Sequence, residues 1–165
     1  MENMPPIIDI EASGFGLGSY PIEIGVIDKQ QKPFCCLVRP QPGWQHWSEE
    51  GQAIHGIRRE TLFDHGVDVT KIANQLNDMF RGQTVYSDAW GHDFSWLNLL
   101  FHAANIPRKF KLDSIVSLLS QAQLDSWNKT KLEVQTELDQ GRHRASIDAK
   151  IIQLTYLKTQ TMTNQ

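Results

Sequence analysis

The sequence predicts an α/β protein in which a mixed five-stranded sheet carries helices on both faces. Three observations lead there. Two β-type runs near the start, Ile22-Glu-Ile-Gly-Val-Ile27 and Phe34-Cys-Cys-Leu-Val38, are joined by the polar turn Asp28-Lys-Gln-Gln-Lys32, which makes them an antiparallel hairpin. Beyond Pro40, strand-like runs alternate with segments of helical period, as crossovers between parallel strands require. A chain of 165 residues, 40% of them hydrophobic, can also fill one core without disulfides, so residues 1–165 read as a single domain.

The first strand is expected at Pro6-Ile-Ile-Asp-Ile10, followed by the glycine-rich loop Ser13-Gly-Phe-Gly-Leu-Gly-Ser19. In the second, Ile22, Ile24 and Val26 alternate as on a half-buried strand. Asp68 is a natural N-cap for a helix presenting Val69, Ile72, Ala73, Leu76, Met79 and Phe80, and Gly82 ends it. Thr84-Val-Tyr-Ser87 reads as a short strand, residues 94–104 as a helix and Phe110-Lys-Leu112 as a fifth strand. Helical stretches are expected around residues 114–121, 131–138 and 146–158, the last with Ile147, Ile151 and Leu154 as its buried stripe.

Composition narrows the class. No apolar run is long enough to span a bilayer, and residues 1–6 lack the basic and apolar parts of a signal peptide, so a cytoplasmic protein without a membrane partner is expected. Cys35 and Cys36 are neighbours and would point to opposite faces of a strand, which excludes a mutual bridge and makes both small buried hydrophobes. A net charge of -3 runs against a simple nucleic-acid binder, which is usually basic.

The chemistry lies in the acids. Asp9 and Glu11, two apart on the first strand, share one face. Taken alone, that pair fits a solvated strand face as well as a cation site. Asp93 follows the strand at 84–87, where an Asp also caps a helix, and Asp88 beside it reads as a turn residue. His143 and Asp148 are five apart, about 140° from a common helical face if both were helical, so His143 belongs on the loop and Asp148 in the first turn of the last helix. As a set they run Asp, Glu, Asp, His, Asp, each at the end of an expected core element.

In this order the residues resemble the DEDDh branch of the DnaQ-like 3'-to-5' exonucleases, which have an RNase H-like fold. Asp9-Ile-Glu-Ala-Ser-Gly14 is similar to the first motif, Asp93 with Trp96-Leu97 to the second, and His143 with Asp148-Ala149 to the third. Pro21-Ile-Glu-Ile-Gly25, Ile54-His-Gly-Ile57 and Leu112-Asp113-Ser114 resemble further family segments. The chain departs at Asp88-Ala89, where many relatives have His-Asn, so the loop of Trp90, Gly91 and His92 would meet substrate differently.

The resemblance implies phosphodiester hydrolysis at the 3' ends of single-stranded DNA or RNA. Two divalent cations, Mg²⁺ or Mn²⁺, would be held by Asp9, Glu11, Asp93 and Asp148. Asp9 would bridge both ions, Glu11 and Asp148 would hold the one carrying the water, Asp93 would support the other, and His143 would be the general base. Substrate contacts would come from Ser13, Phe15, His55, Trp90 and Arg144, with Phe15 and Trp90 available for base stacking, although a core role fits either equally. Arg142, Lys150 and the Arg108-Lys-Phe-Lys111 cluster are further candidates for the phosphate backbone, the last also fitting a solvated loop. His46, His65 and His102 read as surface or packing residues, and Trp44, Trp47, Trp96 and Trp127 as core. The same residues also fit a phosphodiesterase for very short oligonucleotides. A non-catalytic nucleic-acid or protein-binding module of the same fold is the other alternative, and a homodimer is compatible with the sequence.

Overall fold

The computed structural model describes residues 4–138 and 144–163, so His143 and Arg142 lie outside the described residues. The central strand β1 (Ile7–Ala12) decides what faces where. It pairs antiparallel with β2 (Pro21–Ile27), which pairs antiparallel with β3 (Pro33–Leu37), and on its other side it runs parallel to β4 (Thr84–Ser87) and then β5 (Lys111–Ser114). The sheet order is β3-β2-β1-β4-β5.

Alternation along β1 sends Ile8, Ile10 and Ala12 to one face, where they pack with Ile24 and Val26 against α3 (Val69–Phe80) and α4 (Trp90–Ala104). Each fully buried isoleucine contributes about 1.5–3 kcal/mol. Ile7 faces the opposite way, onto Ala149, Ile152 and Tyr156 of α6 (Ala145–Thr163) and Trp127 of α5 (Gln121–Glu137). Asp9 and Glu11 alternate in step with Ile7 and share its side of the strand.

α6 approaches the sheet so closely that only glycine fits opposite its first residue. A Cβ on Gly25 would lie 2.1 Å from the carbonyl carbon of Ala145. This contact corrects two expectations. β2 is buried along its whole length rather than on alternate residues, because α6 covers its second face. The helix buries Ala145, Ala149, Ile152 and Tyr156 together with the expected Ile151, whereas Ile147 and Leu154 are only half-buried: small residues give the closest approach, and they set its rotation.

Two short helices escaped the sequence reading, α1 (Glu49–His55) and α2 (Arg59–His65). The expected stretches at 114–121 and 131–138 also differ. Residues Ile115–Leu118 form a 3-10 turn, and α5 is one helix started by a reciprocal cap between Ser120 and Gln123. Cys36 packs against the core, but Cys35 is exposed at the edge strand β3, not buried as expected.

Candidate active site

Four acidic side chains converge at the C-terminal ends of β1 and β4. Asp9 and Glu11 come from β1 and Asp148 from the first turn of α6. One carboxylate oxygen from each of these three lies within 4.8 Å of the others. Asp93, in the first turn of α4, is buried; Ser87 Oγ donates to it, and it also bonds the backbone of Ile10. Ser87 in turn accepts from the Ala89 N–H (3.0 Å), so the end of β4 holds both the start of α4 and its acid.

The electrostatics follow from crowding. Burial pushes the Asp9 carboxyl well above the usual carboxylate range, and Asp93, Asp148 and Glu11 push it further. Asp93 is pushed up to about 7, chiefly by burial, with Asp88 and Glu11 adding to it and the Ser87 hydrogen bond opposing it. Asp88, which read as a turn residue, forms an ion pair with Lys131 of α5. A set of hard oxygen donors this close, in which burial and neighbouring acids raise the proton affinity of Asp9 and Asp93, fits a divalent cation as counter-charge.

The acids form one side of a cavity of about 460 Å³. Its apolar side includes Ile54 and three ring systems: Phe15 meets His92 edge-on at 5.1 Å, and His92 stacks on Trp96 at 5.6 Å. Phe15 remains 70% exposed, so its ring is open to a ligand. Local sequence explains the wall. Ser48 caps α1 through the Gly51 N–H and donates its own N–H to the Ser13 carbonyl (2.8 Å), which draws the glycine-rich loop onto α1. Gly14 stands at the contact with φ 139°, where a Cβ would come within 2.5 Å of Ser48 Cβ.

His55 ends α1 and lines the cavity. Its Nδ1 accepts from the Ile57 N–H (3.0 Å), which puts the ring proton on Nε2, and burial lowers the imidazole pKa, keeping it neutral. Nε2 is buried with no hydrogen-bond partner among the described residues. The other expected substrate contacts sit elsewhere. Ser13 is fully buried between His46 Nδ1 (2.9 Å) and the Tyr20 N–H (3.1 Å). Arg144 pairs with Glu23. Trp90 donates to the Leu112 carbonyl (3.2 Å), packs on Phe94 and does not line this cavity.

Trp96, Ser48 and Glu50 line the cavity without having been singled out as site residues in the sequence, and His92, marked there only as part of a segment that would meet substrate, lines it from α4. The available signal was spacing: His92 and Trp96 are four apart on the helix that carries Asp93, which gives them a common face.

The mixed sheet in the order β3-β2-β1-β4-β5 with helices on both faces gives an α/β domain with an RNase H-like fold, and the acids lie at its strand ends. Comparison with solved structures agrees. Exonuclease I from Methylocaldum szegediense is similar with a TM-score of 0.71 and 13% identity, over 97% of this chain and 40% of that one. E. coli exonuclease I in complex with a dT13 oligonucleotide has a TM-score of 0.71 and 10% identity, over 98% and 41%. A zinc-bound E. coli exonuclease I–ssDNA complex gives 0.62 and 11%, over 100% and 41%. The chain thus spans about two fifths of the length of these proteins, and at such identities the likeness establishes the fold. No protein-family model and no curated protein matches the chain.

Proposed function

We propose that the protein is a metal-dependent 3'-to-5' exonuclease of the DnaQ-like type acting on single-stranded nucleic acid. The observation that carries this reading is the convergence of Asp9, Glu11 and Asp148 within 4.8 Å, with buried Asp93 beside them, in a cavity with an aromatic wall. That the similar exonuclease I structures hold single-stranded oligonucleotides supports the substrate class.

Asp9, Glu11 and Asp148 would hold one Mg²⁺ or Mn²⁺, and Asp9 with Asp93 a second. Ions so held supply charge at the scissile phosphate and a water acidic enough to attack at neutral pH. Ser87 and the Ile10 backbone orient Asp93, and the Gly25–Ala145 contact sets the distance from Asp148 to β1. His143, adjacent in sequence to Arg144, takes the proton of the attacking water on its imidazole, a role the third motif's resemblance supports. Phe15 and Ile54 hold the terminal base, while the His55 Nε2–H donates to the sugar–phosphate of the terminal nucleotide.

The test is a 5'-labelled oligonucleotide, as DNA and as RNA, incubated with Mn²⁺. A ladder shortening from the 3' end, stopped by chelator and by His143→Ala, is the expected result. Full activity in excess chelator, or no turnover on either polymer, overturns it.

A further inference from the structure

The far end of α4 carries a second polar cavity, of about 560 Å³, lined in part by Asn98, His102, Asn105 and Arg108. Arg108 is its distinctive member. The guanidinium carbon lies 5.3 Å from the Phe94 ring and 5.6 Å from the Phe110 ring. Its Nη1 is enclosed without an acceptor, and among the described residues no carboxylate pairs with Arg108. A half-buried cation held in place by two rings and left without an anion is an unfavourable arrangement that an incoming anion relieves. Lys109 and Lys111, both exposed, alternate with Arg108 and Phe110 on the segment entering β5, so they point to its other side and do not line the cavity.

The position of this cavity identifies the anion. His92 lines the acidic cavity and Asn98 lines this one, six residues apart on the same helix. That is about 9 Å along the axis and about 240° around it, so a strand joining the two sites has to pass round the helix and needs at least about three nucleotides at about 3.4 Å each. Ala89 lines the acidic cavity, Trp90 beside it is 42% exposed and packs on Phe94 with ring centroids 5.2 Å apart, and Phe94 carries the Arg108 guanidinium, so this side of α4 is aromatic before it becomes cationic. We infer that Arg108, with Asn98 and Asn105 around it, forms a phosphate subsite for the upstream backbone of a single strand whose 3' end occupies the acidic cavity. The inference rests on the nuclease reading for its substrate, but it concerns binding and is testable without turnover. The subsite places positive charge on the strand's path outside the acidic centre, which a net charge of -3 does not reveal.

Fluorescence anisotropy in Ca²⁺ with a labelled dodecamer and a labelled trinucleotide tests this directly. Arg108→Gln and Asn105→Asp should each weaken dodecamer binding about five- to tenfold and flatten its salt dependence, with less than about a twofold change for the trinucleotide, whereas Lys109→Gln/Lys111→Gln should change dodecamer binding less than either. Asn105→Asp alters an exposed side chain of the cavity, so it remains informative if Arg108→Gln does not fold. Equal losses at both lengths or unchanged dodecamer binding in Arg108→Gln and Asn105→Asp, or a wild-type chain that binds no dodecamer, overturns the subsite. If the wild type binds in this pattern yet hydrolyses nothing with Mn²⁺, the subsite stands and the nuclease reading falls.

Discussion

The buried carboxylate of Glu23 and the guanidinium of Arg144 form a two-pronged ion pair between β2 and the start of α6. Arg144 donates to Glu23 through Nε (3.0 Å) and Nη2 (2.6 Å), and the Ala145 N–H adds a third bond to the same carboxylate (3.0 Å). Glu23 is fully buried, whereas the Arg144 side chain is 46% exposed, so the two partners are not equivalent. Arg144→Ala strands a buried carboxylate and should cost about 3–5 kcal/mol. Glu23→Gln removes the charge while keeping an acceptor for Ala145, and should cost only about 1–2 kcal/mol. Urea unfolding of both variants measures the difference; equal costs would contradict the asymmetry.

The raised carboxyl pKa values of Asp9 and Asp93 set the sign of the pH dependence. Both groups bind protons more tightly in the folded than in the unfolded chain, so without divalent cations their contribution to stability is fully present below the ordinary carboxylate range and is lost as pH rises. For Asp93 that loss runs from the ordinary carboxylate range up to about 7. Thermal melts in chelator should give a lower Tm at pH 8 than at pH 5, and Mn²⁺ at pH 8 should restore it. Asp93→Asn should flatten the profile. A Tm that rises from pH 5 to pH 8 in chelator would contradict this.

Gly25 is the contact that fixes α6 on the sheet. Gly25→Ala forces a methyl group into the Ala145 backbone and should destabilise by at least about 2 kcal/mol. Because α6 carries Asp148, the variant should also bind Mn²⁺ more weakly, which calorimetric titration below the melting temperature would detect.

Phe15 behaves oppositely, being exposed, with its ring against His92 and Trp96 in the cavity wall. Phe15→Ala should leave Tm nearly unchanged while raising KM on single strands about tenfold, in line with loss of one stacked base. A fall in kcat with KM unchanged would assign the ring a different role.

Much of this was legible in the sequence where hydrophobic period and acid position coincide. Strand β4 at 84–87, the Asp68-capped helix and the pairing of Asp9 with Glu11 on one side of β1 all follow from period and spacing. The cavity's apolar wall was harder to read. α1 has seven residues and its Ile54 points outward, so no apolar stripe announces it; only the Ser48 cap and the left-handed Gly56 mark its ends. α5 has little apolar periodicity, and its start is visible only in the Ser120–Gln123 cap. The rotation of α6 depends on a backbone contact with Gly25 that no single-helix pattern encodes.

The most direct measurement of the central claim compares wild type with Asp148→Asn on a 5'-labelled single strand in Mn²⁺. The four-carboxylate centre predicts a drop in the rate of 3'-end shortening of about a thousandfold or more, with an unchanged or raised Tm because a crowded charge is removed. Shortening at the wild-type rate by a folded Asp148→Asn protein would show that this acidic cluster is not where the chemistry occurs.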